Sequence, residues 1–237
     1  QFQPLIDEFD GTTLQQADAI ASLATSLSIA HRAVGDAGQA DTALAAALQS
    51  DPQYVPARLL QIRQQAARGD IDGALAEIDA LLARQGSDIG AWLVKGDLLR
   101  DGQGRNAEAA VAYRKVIEIQ PSLATGYLET VNTLLRLGKT DEAAELLTQL
   151  GKRAPGSVRG LYLQALLALD NRDHDQARKI AQQLAVAGPA EARYQLLAGD
   201  TELQFGSLLQ AENYLSRAVK LAPQSAYARR LLATAQV

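Results

Sequence analysis

The chain has 237 residues, 47% apolar and 21% charged, with a formal net charge of −4 and a pI near 5.3. No block of basic residues occurs, which disfavours a protein that tracks a phosphate backbone, so no nucleic-acid partner is expected. The lack of any cysteine removes disulfides, thiolate metal sites and cysteine nucleophiles together.

Residues 1–12, QFQPLIDEFDGT, place Leu5, Ile6 and Phe9 at helical spacing before a glycine, which predicts the tail of a preceding helix and a loop. A helical pattern then runs from about Thr13 to Val34, with Ile20, Leu23, Leu27 and Ala30 expected on its buried face. Within it, Ala19 to Ala30 is the most apolar uncharged run. It is too short, and too rich in Ser, Thr and Ala, to span a bilayer.

From Ala40 onward the chain keeps a beat. Ala40, Ala74, Ala109, Ala143, Ala177 and Ala211 recur every 34 residues, with one interval of 35. Pro121, Pro155, Pro189 and Pro223 keep the same step, and Pro52 precedes Pro121 by 69. Self-similarity at this period predicts stacked helical units, none of which buries its apolar face alone. The expected units are 13–52, 55–86, 89–121, 124–155, 158–189 and 192–223, with a final helix over 226–237. A glycine ends the first helix of every unit but the fifth because it tolerates positive φ, and a proline, or Gly86 in the second unit, follows the second helix, since proline cannot continue the ladder.

Three details follow. The interval of 35 points to one extra residue in the DGQG loop of the third unit. The fifth unit has Arg172 at the glycine place, so Asn171 is the expected left-handed residue there. Asp70, Asp141, Asp173 and Ser207 stand beside the turns and are expected to cap the second helices.

The pattern of Trp92, Gly96, Gly104, Ala109, Tyr113 and Pro121 resembles the tetratricopeptide repeat (TPR) family. It recurs as Tyr127, Gly138, Ala143 and Pro155, and as Gly199, Gly206, Ala211, Ala218 and Pro223. The resemblance implies an all-α, α-solenoid fold, a right-handed superhelix of about six helix-turn-helix units. More narrowly, DPQYVPARLL, QSAYARRLLATAQ and the residues from Ala190 to Pro223 are similar to the TPR lipoproteins of the PEP-CTERM/exosortase system. That likeness implies a bacterial envelope or periplasmic setting and an exopolysaccharide role. Those lipoproteins carry a lipidated cysteine upstream of their repeats, and this chain has no cysteine, so the likeness implies an internal fragment whose lipid anchor, its sole link to a membrane, lies outside it.

Chemistry finds little to hold it. GQGRNA, Gly102 to Ala107, has the glycine spacing of a dinucleotide fingerprint but follows a helical pattern, where a strand would be needed. His174, between Asp173 and Asp175, reads as an exposed turn residue, and His31 is several units away. No nucleophile with a base, no paired carboxylates and no phosphate loop can be assembled. Neither a catalytic residue nor a metal site nor a cofactor is expected.

The family's inner groove is lined by the second, fifth, ninth and twelfth places of each first helix. Carried over, the resemblance implies a site of Leu93, Asp97, Leu128, Asn132, Tyr162, Leu166, Arg193, Leu196 and Asp200. Leu59, Leu93, Leu128, Tyr162 and Leu196 would make an apolar stripe for an extended or helical protein segment, with flanking charges setting register. Of the lysine and asparagine set that clamps a terminal carboxylate, only Asn132 is present. The alternative is a spacer that self-associates and binds nothing in the groove.

Overall fold

A computed structural model describes residues 17–153 and 156–236. The predicted N-terminal helix tail and loop, and Pro155, lie outside the described residues. Among those described the chain forms thirteen α-helices and no strand.

The first unit, which ends at Ile119, holds α1 (Ala17–Ala33), α2 (Ala37–Ser50), α3 (Val55–Ala67), α4 (Ile71–Arg84), α5 (Ile89–Asp97) and α6 (Asn106–Ile119). The second, from Gln120, holds α7 (Ala124–Arg136), α8 (Thr140–Arg153), α9 (Val158–Asp170), α10 (His174–Ala187), α11 (Ala192–Gln204), α12 (Leu208–Leu221) and α13 (Ala226–Ala235). In both, odd-numbered helices open a repeat and even-numbered ones close it.

The turns explain how so regular a pattern is written in so few residues. At Gly69 the N–H bonds to Ala66 O, and the next N–H, of Asp70, reaches back to Gln65 O. This is a Schellman ending, with a left-handed residue at φ 98°. The last residue of that motif is also the N-cap of the following helix, since the Asp70 carboxylate accepts from Gly73 N–H. Asp36 and Asp173 repeat the arrangement, accepting from the N–H groups of Gln39 and Gln176. One side chain thus ends one helix and starts the next.

Two expected caps do not form. Ser207 occupies the N-cap place of α12 without a side-chain capping bond, its Oγ accepting instead from Arg178 at 3.4 Å. Asp141 lies inside the first turn of α8, where it favours the helix through the dipole. The left-handed residue of the fifth repeat is also not Asn171, whose φ is −78°, but Arg172, at φ 60°. The 34-residue register outweighed residue preference, because Arg172 N–H and Asp173 N–H must bond to Leu169 O and Ala168 O to complete the same Schellman ending.

The extra residue of the third repeat is not in the loop. It sits in the helix, where Leu98–Gly102 widens into a π-turn, and the closing bond runs from Arg105 N–H to Leu99 O, one residue longer than its counterparts. Gly104, at φ 65°, then makes a turn of the usual length.

Packing follows the alanine beat. Ala40, Ala74, Ala109, Ala143, Ala177 and Ala211 are all fully buried. On the facing helices of two repeats the contact tightens until only glycine fits. A Cβ on Gly96 would lie 2.3 Å from the Tyr113 ring, and one on Gly199 would lie 2.4 Å from Leu215 Cγ. Core clusters span repeats. In the first unit Leu59 and Ile62 of α3 pack with Leu75 and Ile78 of α4, Val94 of α5 and Tyr113 of α6. In the second, Ile180 and Leu184 of α10 pack with Ala165 of α9 and Leu197 of α11.

Helix α1 departs from expectation. Ala30 is buried as expected, but the rest of its tightest face is Ala21, Ala24, Thr25, Ser28 and His31, while Ile20, Leu23 and Leu27 are half-buried. Small side chains let α2 approach, and Ser28 Oγ donates to Ala40 O at 2.7 Å.

Candidate functional site

The first helix of each repeat has two jobs, and the place of a residue along it decides which. In three repeats the fourth-place side chain secures the preceding loop. Trp92 Nε1 donates to Gly86 O at 2.8 Å, Tyr127 Oη to Pro121 O at 3.1 Å, and Gln195 Nε2 to Pro189 O at 3.3 Å. Three chemically different residues satisfy the carbonyl six residues upstream. The sequence hid this because indole, phenol and amide share no hydropathy, only the ability to donate.

Second-place side chains bridge to the previous repeat. Arg159 on α9 pairs with Glu129 on α7 at 3.0 Å. Arg193 on α11 stacks over Tyr162 of α9 and Tyr194 of its own helix, with guanidinium-to-centroid distances of 5.9 and 5.0 Å. Tyr227 on α13 donates to Asp200 of α11 at 3.3 Å. In the first unit Gly90 takes this place, and a Cβ there would come within 2.9 Å of Leu59 Cδ1. The 34-residue phase points to this row, but Tyr227 and Arg230 lie beyond the last full repeat, where the groove places of the family no longer number them.

The residues expected to line a groove fall in two groups. Leu93 and Asp97 belong to the first unit. Leu93 is half-buried against its core, and Asp97 accepts from Tyr113 Oη at 2.7 Å and pairs with Arg100 at 3.4 Å. Leu128, Asn132, Tyr162, Leu166, Arg193, Leu196 and Asp200 belong to the second.

Among these, Leu128 is only 6% exposed and belongs to the core, as does Leu59 at 7%. Leu196 is half-buried against Ala211, Leu215 and Ala235. The expected leucine stripe is therefore interrupted, because the fifth place faces the neighbouring repeat as much as solvent. Exposure rises at the ninth place, where Leu166 reaches 36%. What α9, α11 and α13 present together is a mixed face of Tyr162, Leu166, Arg193, Asp200, Tyr227 and Arg230.

Its electrostatics are set by cations lying on rings. Arg193 meets Glu191 at 3.4 Å, both well exposed, a pair that solvent weakens. Arg230 lies over Tyr227 at 5.2 Å and has no carboxylate partner among the described residues. The Tyr227 hydroxyl is held above its ordinary range by burial first and by the Asp200 charge second, so it stays protonated and donating.

Two clefts open on the opposite side, between consecutive closing helices. One, of about 530 Å³, lies over Gln61, Gln64 and Gln65 of α3, rimmed by Asp41 and Glu77. The other, of about 410 Å³, lies over Gln164 and Leu167 of α9, rimmed by Thr148 and Gln176. They occupy the same repeat positions. At the next junction Arg178 reaches the corresponding place, pairing with fully buried Glu202 at 2.8 Å and stacking on Phe205 at 4.6 Å, while Gln182 donates to the same carboxylate at 2.6 Å. Three other repeats carry Leu99, Leu134 or Ala168 where Glu202 stands, and the second carries Gln65, so an acid where most repeats are apolar is the signal available.

Neither enzyme-like string acquires the setting its chemistry needs. Gly102 ends the π-turn and Asn106 opens α6, so GQGRNA joins two helices. His174 is the exposed first residue of α10, after the Asp173 cap. Among the described residues no three His, Cys, Asp or Glu side chains group as metal ligands, and no helix is long and apolar enough to cross a membrane.

Comparison with known proteins agrees with this geometry. The family described as Tetratricopeptide repeat matches residues 59–124 and 128–192, together more than half of the chain. The Pseudomonas aeruginosa protein pilF has a similar fold, with a TM-score of 0.74, 20% identity, and coverage of 92% of this chain and 99% of that one. So has YrrB, described as a TPR protein with an unusual peptide-binding site, at a TM-score of 0.59 and 15% identity, covering 81% of this chain and 97% of that one. Cellulose synthase 2 operon protein C of Komagataeibacter xylinus is 32% identical over 136 residues, 57% of this chain, and the match spans 10% of that protein's length.

Proposed function

The chain belongs to the tetratricopeptide repeat family, and from that premise we propose that it is a non-catalytic scaffold holding an extended protein segment on the first-helix face of its second unit. The observation that carries this is the set of Tyr162, Leu166, Arg193 and Tyr227 on three successive first helices, joined by the Arg193 stack on Tyr162 and the Tyr227 bond to Asp200. Flat aromatic rings and guanidinium groups supply large contact areas at little entropic cost, which suits recognition of a peptide.

The setting we propose is a bacterial envelope assembly concerned with exopolysaccharide, as part of a lipoprotein of the exosortase kind. The likeness to a cellulose synthase operon protein supports the polysaccharide context, and the lipid anchor and exosortase link rest on the wording of the repeats.

Affinity capture from an envelope extract of the source bacterium tests the surface. Tyr162→Lys with Leu166→Lys should abolish capture of a discrete partner while helical content stays constant. Leu128 is unsuitable for such a test, since a lysine there would unfold the core. Retained capture by the double variant overturns the reading.

A self-associating spacer is the second reading, favoured by Val186 and Leu209, apolar side chains 78% and 74% exposed on closing helices. A concentration series in light scattering separates the two. A mass that stays monomeric removes the spacer, and one that grows with concentration and falls with Val186→Lys and Leu209→Lys supports it.

A further inference from the structure

The cleft of about 530 Å³ in the first unit, over α3 and between α2 and α4, carries features that the second cleft lacks. We propose that it receives an arginine side chain from an extended segment of a partner protein. This is a second site, in a different unit from the face proposed above and independent of it.

Charge selects the cation. Asp41, Asp70 and Glu77 line the cleft, against Arg68 as the one basic lining residue. Asp41 is paired twice, with Arg32 at 2.7 Å and Arg68 at 3.3 Å. Asp70 is committed to the Gly73 N–H and to Gln65 Nε2, which donates at 2.7 Å. Glu77 is half-buried and has neither a hydrogen bond nor an ion pair among the described residues. A carboxylate drawn partly out of water without a cation is unfavourable, and a bound cation relieves it. The second cleft has Ile180 at the repeat position of Glu77 and Ala144 at that of Asp41, and its one lining acid, Asp173, is the cap of α10.

The chain itself shows which cation suits such a junction. Beyond the second cleft Arg178 holds Glu202 by two bonds, from Nε at 3.0 Å and from Nη2 at 2.8 Å. At the first cleft Asp41 stands at the position of Arg178 and Gln65 at that of Glu202, while the unpaired acid comes from α4 as Glu77. The closing helix therefore brings no guanidinium of its own. Leu44 and Leu48 offer apolar surface to the methylene stem of an incoming arginine, and its planar fork matches the carboxylate better than an ammonium does.

A second group separates a peptide from other ligands. Gln64 lines the cleft, and its Nε2 is buried without an acceptor. Such a donor is costly until something accepts from it. A polyamine or a metal ion relieves Glu77 but accepts nothing, and a neutral glycan accepts but leaves Glu77 without a cation. A peptide does both, through the arginine side chain and a main-chain carbonyl beside it.

The probe is the tripeptide Ser-Arg-Ser, blocked at both ends and titrated into the whole isotope-labelled chain. NMR follows the side-chain amide signal of Gln64, identified by its loss in Gln64→Leu. That signal should shift saturably, and the same peptide with citrulline, which keeps the shape and loses the charge, should bind about tenfold more weakly. Glu77→Gln should bring the arginine peptide down to the citrulline level. Ala45→Trp, on the wall of the cleft, should block binding with unchanged circular dichroism. Thr148→Trp, at the same repeat position beside the second cleft, should not.

Equal binding of the two peptides, no effect of Glu77→Gln, equal loss in both tryptophan variants, or an equal shift by spermidine or cellobiose would each overturn the proposal. Tyr162→Lys with Leu166→Lys should leave the titration unchanged. Were that variant to retain capture of its partner while the tripeptide still bound the cleft, the first-helix reading would fall and this site would stand.

Discussion

Arg172 holds a left-handed backbone, φ 60°, at a place where the five other turns have glycine, at Gly35, Gly69, Gly104, Gly138 and Gly206. A side chain in that region costs about 1–2 kcal/mol. Arg172→Gly is therefore expected to stabilise the second unit by about 1 kcal/mol, read as a raised midpoint in urea unfolding; a lowered midpoint would mean the arginine side chain is needed there. At Asp70 the carboxyl is held below its ordinary value of 3.8, first by the hydrogen bond from Gln65 and then by the Gly73 N–H, with burial opposing. A depressed folded pKa contributes stability that is present above the unfolded value and lost as pH falls through the folded one. Asp70→Ser keeps a cap oxygen but no titrating group, so its stability should vary less than that of the wild type below about pH 4. Equal acid sensitivity in both proteins would contradict this role. Residue preference alone pointed to Asn171 and Ser207, and both expectations failed. Which atom meets which was decided by register and by the reach of Arg178 from the neighbouring helix, and neither is written in a residue's own type.

At the scale of elements, the period was legible because packing demands it. A buried alanine at each crossing and a left-handed turn residue before each closing helix recur without side-chain chemistry to blur them. The extra residue of the third repeat was legible as a count but not as a location, since a loop and a π-turn absorb one residue equally well on paper. The structure puts it in Leu98–Gly102. Deleting Asp101, which is exposed, should restore an ordinary α-helical turn, bring Ala74 and Ala109 to the common interval, and leave the melting temperature within about 4 °C of the wild type. Deleting Gly138 from the regular fourth repeat should instead misphase α8 against α7 and lower it by more. If both deletions are equally harmful, the π-turn is required for the fold and is not an accommodated insertion.

For the whole molecule, the sequence carried the fold class and family but only part of the candidate site. Every place on the first helices could be numbered from the period, yet the fifth places divided into core, as at Leu59 and Leu128, and half-buried positions, as at Leu93 and Leu196. Hydropathy treats those leucines alike, and only packing separates them. The stacked arginines and the Tyr227–Asp200 bond depend on contacts between repeats, which a linear pattern does not contain.

The central claim is that a partner segment lies on the first-helix face of the second unit. It is tested most directly by photo-crosslinking in the source organism, with a benzophenone amino acid in place of either Leu166 or Val186. A discrete adduct to another protein from position 166, with none from 186, is the result expected. An adduct from 186 alone, or one that joins two copies of this chain from 166, would contradict it.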